Sequence, residues 1–172
     1  MRTRCRCRFG SAAIMDESMQ RLAEITLDEH TVVNRSVEIE SERAAAIADL
    51  LGQNHFAPAS GQTGPFRLHL AIEENRLVME VSPIADGAVE TIVLPLAPFR
   101  RIVKDYFLVC ESYYQAVRSS NLGRVEAIDV GRRSLHNEGS ALLIERFSGK
   151  LAIDHDTARR LFTLICVLHL RA

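Results

Sequence analysis

Asp129 and His136 are the residues whose types and spacing best fit catalysis in this chain of 172 residues. Residues 125–147 show a helical pattern, and a helix turns by about 100° per residue. Positions i, i+4, i+7 and i+11 therefore share one side, which brings Arg133 and Ser140 beside the other two. An aspartate that orients a histidine can support general-base catalysis, so this side is a candidate catalytic site. The alternative is an Asp129–Arg133 ion pair on a solvated face, with His136 hydrogen-bonded at the edge of the core.

Arginines near helix starts are the candidate ligands for an anion. The 21 basic residues include only two lysines, and arginine binds carboxylates and phosphates in a bidentate way that lysine cannot. Two of the three Arg-Arg pairs lie in the first turns of predicted helices, where backbone N–H groups favour anions. The predicted ligand-binding residues are Arg100, Arg132, Arg133 and Arg159. The alternative is that the arginines pair with Asp105, Asp129 and Asp156 on solvated faces.

The elements that must position these residues begin with a sheet. Apolar and polar residues alternate through residues 66–73, 76–81 and 88–94, which predicts a three-stranded antiparallel meander with one apolar face. Glu74-Asn75 and Asp86-Gly87 are suited to the turns. A further strand at about residues 22–28 is expected to join this sheet, and residues 54–64 are expected to form a loop.

Four helices are predicted around the sheet. The first begins at Asn34 or Ser36 and ends at Gly52, since both starting residues are good N-caps. The others cover about residues 99–119, 125–147, and from Asp154 or Asp156 to about residue 170. The fold class is therefore α+β: an antiparallel sheet of three or four strands, with one early helix and three C-terminal helices packed on its apolar face.

The first 20 residues differ from the rest. Four arginines alternate there with Thr3, Cys5 and Cys7, and no acidic residue precedes Asp16. No apolar periodicity is present. We expect residues 1–20 to form a disordered N-terminal extension and residues 21–172 to form a single domain.

Six separate segments carry a resemblance to a known family: Gly64–Leu70, Pro98–Phe107, Cys110–Tyr113, Glu126–Asp129, His136–Gly139 and Thr157–His169. They resemble an uncharacterised bacterial protein family of the UPF type, a label for families of unknown function. The resemblance covers about residues 21–170. It implies a small bacterial cytoplasmic protein, and it carries no activity, cofactor or catalytic residue.

Composition and charge argue against some classes of function. The net charge of −1 and the lack of a known binding motif make nucleic acid an unlikely partner. No apolar run is long enough for a membrane span. The two interior cysteines, Cys110 and Cys166, fit a reducing cytoplasm, and nothing indicates a metal or another cofactor.

Two function classes lead the interpretation. The last helix is apolar on every side, which predicts a homo-oligomer that covers part of it. The first hypothesis is therefore a cytoplasmic binding or regulatory module that self-associates. The second is a small enzyme that acts on an anionic metabolite with the Asp129, His136 and arginine site. A nucleic-acid-binding module ranks third.

Overall fold

The computed structural model describes residues 17–28 and 36–169. Within these ranges, short 3₁₀ helices cover Glu17–Met19 and Ala97–Phe99. The strands are β1 (Leu22–Leu27), β2 (Phe56–Pro58), β3 (Phe66–Glu73), β4 (Arg76–Pro83), β5 (Glu90–Pro95) and β6 (Leu151–Ile153). The helices are α1 (Val37–Gly52), α2 (Arg100–Arg118), α3 (Leu122–Phe147) and α4 (His155–His169). The predicted α+β class, with one early helix and three C-terminal helices, is confirmed.

The main sheet has the strand order β1-β3-β4-β5. The meander β3-β4-β5 is antiparallel as predicted, and Glu74 and Asn75 make its first turn with φ values of 47° and 62°. The fourth strand differs from the expectation, because β1 pairs with β3 in parallel. A parallel pair needs a long crossover, and the connection from Leu27 to Phe66, which contains α1, supplies it. The sheet is therefore mixed.

A second, two-stranded sheet was not predicted: β2 lies within the expected loop of residues 54–64, and β6 lies between the third and fourth predicted helices. Strands β2 and β6 pair antiparallel, with Phe56 opposite Ile153 and Pro58 opposite Leu151. Each has only three residues, too few for an alternating pattern to be recognised. Because β2 follows α1 and β6 precedes α4, this pairing places the end of α1 near the start of α4. Next to it, the backbone N–H of His55 donates to the hydroxyl oxygen of Thr157 at 3.0 Å.

The core lies between the apolar face of the main sheet and the helices. Alternate residues of β3 and β4 are buried there, and α4 packs against β3, α1 and α3. Every residue of α4 from Leu161 to Leu168 is buried within this one chain. The apolar circumference of α4 is therefore covered without a second subunit, which removes the reason given for expecting one.

Helix starts follow local capping. The side chains of Ser36, Asn121 and Asp154 accept hydrogen bonds from backbone N–H groups in the first turns of α1, α3 and α4. Because Asn121 is a cap, α3 begins at Leu122, three residues before the predicted start. Its described apolar contacts concentrate in the second half, where Gly139, Ser140, Leu143 and Phe147 are buried.

The predicted extension, residues 1–20, lies mostly outside the described residues. Gln20, however, is buried, and its carbonyl oxygen accepts a hydrogen bond from the N–H of Phe56 at 2.8 Å. The packed structure therefore includes this residue. No helix within the described ranges is both long and apolar enough to cross a bilayer.

Candidate functional site

A cavity of about 260 Å³ lies between α1 and α4, with one residue of α3 in its lining. Both walls show the i, i+3, i+4, i+7 spacing of a single helix face. The wall from α1 consists of Glu42, Ala45, Ala46 and Asp49. The wall from α4 consists of Asp156, Arg159, Arg160 and Thr163, and α3 contributes His136. The two alanines keep the middle of the α1 wall small, which leaves space between the helices.

His136 is a neutral, hydrogen-bonded histidine in this cavity. The Thr163 hydroxyl lies 3.2 Å from the carbonyl oxygen of Arg159 and 3.2 Å from Nε2 of His136. When the hydroxyl donates its one proton to that carbonyl, it accepts from Nε2–H, and Nδ1 is then the unprotonated nitrogen. Burial, and then the charges of Arg132 and Arg159, lower the pKa of His136 to about 4. The ring is therefore uncharged at pH 7.

Asp129 does not orient His136. Its carboxylate pairs with Arg133, and its Oδ1 lies 3.4 Å from Nε of Arg132. These arginines are three and four residues away on the same helix, whereas His136 turns toward Thr163 of α4. The Asp129–His136 hydrogen bond that the catalytic hypothesis requires is absent, and the geometry is that of the alternative: an ion pair beside a histidine at the edge of the core. Ser140 donates to the carbonyl oxygen of His136, one turn earlier.

The four predicted anion ligands occupy different places. Arg100 and Arg133 are exposed, and Arg133 is paired with Asp129. Arg132 lies 3.1 Å from Oε1 of Glu42, with its guanidinium 4.9 Å from the centre of the Tyr113 ring. Only Arg159 of the four lines the cavity.

Two charged side chains of the cavity have no partner among the described residues. Glu42 accepts from Arg132 and from the Tyr114 hydroxyl, at 2.8 Å for the latter. Asp49 lies 3.7 Å from Nε of Arg160. Within the described ranges, the side chains of Arg159 and Asp156 form no ion pair or hydrogen bond. Arg159 is therefore the cation available to a ligand.

Sequence reasoning missed most of this lining. Glu42, Asp49, Asp156, Arg160 and Thr163 were not predicted as site residues. The available signal was the repeated helical spacing of polar residues in α1 and α4, interrupted in α1 by two alanines. That signal shows a polar face on each helix, but it does not show that the two faces meet.

A second cavity, of about 340 Å³, lies between α1 and α2. Its lining includes Ile39, Phe107 and Cys110, and it reaches Ser36, next to residues 29–35, which lie outside the described residues. Burial raises the pKa of the Cys110 thiol to about 11. The thiol is therefore protonated at pH 7 and is not a thiolate nucleophile. Across the described residues, no group of His, Cys, Asp and Glu is arranged to hold a metal ion.

Comparison with known proteins places the chain in a family. The model of the uncharacterised protein family UPF0262 matches residues 19–171. The chain belongs to UPF0262. Among its relatives, a UPF0262 protein of Rhodospirillum rubrum is 57% identical over 150 residues, covering 87% of this chain and 92% of the relative. A UPF0262 protein of Agrobacterium fabrum is 51% identical over 151 residues, covering 88% and 96%. No solved structure matches the chain. The UPF-type resemblance seen in the sequence is thus confirmed, and membership of UPF0262 brings no activity with it.

Proposed function

We propose that this protein is a cytoplasmic binding protein for a small anionic molecule, whose negative group is held by Arg159 in the cavity between α1 and α4. The observation that carries the proposal is the unpaired guanidinium of Arg159 in a concave site, while Arg132, Arg133 and Arg160 are engaged with carboxylates. A guanidinium can bind a carboxylate or phosphate through two parallel hydrogen bonds. The cytoplasmic location rests on the cysteine content of the sequence.

The size of the cavity favours a small metabolite. At about 260 Å³ it lies below the roughly 300–1,000 Å³ typical of drug-sized ligand sites. Two of its acidic groups are already neutralised by arginines, Glu42 by Arg132 and Asp49 by Arg160. Repulsion of an incoming anion by these carboxylates is reduced accordingly.

Binding fits the arrangement better than catalysis. The enzyme hypothesis requires Asp129 to orient His136 as a general base. Asp129 is paired with two arginines instead, and His136 uses Nε2 to hold Thr163. The enzyme hypothesis therefore remains the alternative, and the Asp129–His136 pair that it requires does not form.

Isothermal titration of the protein with inorganic phosphate, L-lactate and L-malate tests the proposal. We expect at least one of these anions to bind, and Arg159→Gln to weaken it by about 10- to 100-fold, because a hydrogen bond to a charged group contributes about 1.5–3 kcal/mol. The matched control is Arg124→Gln, an exposed arginine of α3 that does not line the cavity. Equal affinity in the Arg159 and Arg124 variants, or no binding of any anion, would contradict the proposal.

Self-association is a second candidate function, and a homodimer stays a prediction. Its support now comes from α3, where Leu122 is 81% exposed and Val130 is 64% exposed. Contiguous apolar patches are a feature of surfaces that bind another protein, and these two residues of α3 would belong to such a patch. Light scattering at micromolar concentrations checks this, and a monomer mass would refute it. The binding proposal does not depend on the outcome.

A further inference from the structure

The balance of charges in the cavity indicates what else the ligand carries. Three acidic and two basic side chains line it: Glu42, Asp49, Asp156, Arg159 and Arg160. Glu42 is paired with Arg132 from outside the lining, and Asp49 is paired with Arg160. His136 is neutral and adds no charge. One carboxylate, Asp156, and one guanidinium, Arg159, are left without partners in the described part of the chain.

These two groups are neighbours on the same helix face. Residues at i and i+3 have Cβ atoms about 5–6 Å apart, so both side chains border the same part of the cavity. They are nevertheless not paired with each other, since no oxygen of Asp156 lies within 4.0 Å of a nitrogen of Arg159. A ligand with only negative charge would contact Arg159 and also lie close to the Asp156 carboxylate. A ligand that also carries a positive group would place an opposite charge beside each of the two side chains.

We infer that the ligand is a zwitterion, with a carboxylate on Arg159 and an ammonium group on Asp156, which is the chemistry of a small amino acid. This inference rests on the proposed function, because it assumes that Arg159 holds an anionic group. In an α-amino acid a single carbon separates the two charged groups. One such molecule can therefore contact both side chains where they border the same part of the cavity, and its size fits the volume of about 260 Å³.

Two pairs of compounds test the inference: L-alanine against L-lactate, and L-aspartate against L-malate. The members of each pair differ in one group on the α carbon, an ammonium or a hydroxyl. By isothermal titration of the full chain, we expect the amino acid of a pair to bind at least about tenfold more tightly, as a charge-assisted contact predicts. Asp156→Asn keeps the shape of the side chain and should reduce this preference to about twofold or less.

The control is Glu126→Gln, which removes an exposed carboxylate of α3 outside the cavity and should leave the preference unchanged. Circular dichroism establishes that each variant is folded. If both members of a pair bind equally, the zwitterion inference is wrong while anion binding stands. If the amino acid is preferred and Asp156→Asn keeps that preference, the assignment of the ammonium to Asp156 is wrong. If neither member of either pair binds, the zwitterion inference is wrong, and the proposed function fails as well if inorganic phosphate also does not bind.

Discussion

Among the glycines of the described helices, Gly139 of α3 should be the one at which an added methyl group costs most. A Cβ built there would lie 2.5 Å from two carbons of the Phe162 ring, against 3.4–4 Å for ordinary contact. Phe162 is fully buried and packs edge-on against Tyr106 and His136, with ring centres 5.9 and 6.2 Å away. The ring therefore has to move by about 1 Å inside a packed core, where small displacements are costly.

The net effect of Gly139→Ala follows from two opposing contributions. Overpacking a core costs about 1–3 kcal/mol, and the confined ring places this site near the upper end. Alanine in a helix interior regains about 1 kcal/mol relative to glycine. We therefore expect the free energy of unfolding to fall by about 2 kcal/mol. For a chain of this size that corresponds to a decrease in Tm of about 4–8 °C.

Gly131 of the same helix is the matched control. A Cβ there meets nothing within 4 Å, so Gly131→Ala should show only the stabilisation that comes from the higher helix propensity of alanine. We expect it to raise the free energy of unfolding by about 1 kcal/mol and the Tm by about 2–4 °C. Urea and thermal unfolding followed by circular dichroism measure both variants. A Gly139→Ala protein at least as stable as the wild type would refute the packing of α3 on α4 at this point.

Three further predictions concern His136, two arginines and the N-terminus. The pKa of His136 is about 4 in the folded protein and about 6.5 unfolded, so the unfolded chain binds the proton first. Stability should therefore fall by up to about 3 kcal/mol from pH 6.5 to pH 4, and urea unfolding of His136→Asn should show a shallower decrease. Arg132→Ala should cost about 1–3 kcal/mol, because it leaves the half-buried Glu42 without its cation, whereas Arg133→Ala at the exposed pair should cost under about 1 kcal/mol. Deletion of residues 1–16 should leave the Tm within about 4 °C of the wild type, and a larger decrease in calorimetry would show that they pack.

Local patterns predicted the fold well because they depend on residues close in sequence. The alternation in β3 and β4 and the caps at Ser36 and Asp154 are determined by neighbours a few positions away. The parallel pairing of β1 is not, since it depends on where the chain returns after α1. Strands β2 and β6 were missed because three residues are too few to establish a period.

The candidate site was predicted only in part, because its walls come from distant segments. Arg159 and His136 were identified from their residue types and from their places on single helices. Asp129 has three possible partners at helical spacing, and the sequence alone does not rank them. The tertiary structure decides between them, because Thr163 of α4 lies beside His136 and hydrogen-bonds to it. Asp129 therefore pairs with Arg132 and Arg133.

The close approach at Gly139 links the stability of the fold to the geometry of the site. His136 lies one turn before Gly139 on α3, and Thr163 follows Phe162 directly on α4. A methyl group at Gly139 pushes on Phe162, and that force acts on the separation of the two helices that hold the His136–Thr163 hydrogen bond. The absence of a side chain at Gly139 therefore does more than permit packing. Because Gly139 has no side chain, α3 lies close enough to α4 for His136 to line the cavity whose other walls belong to α1 and α4.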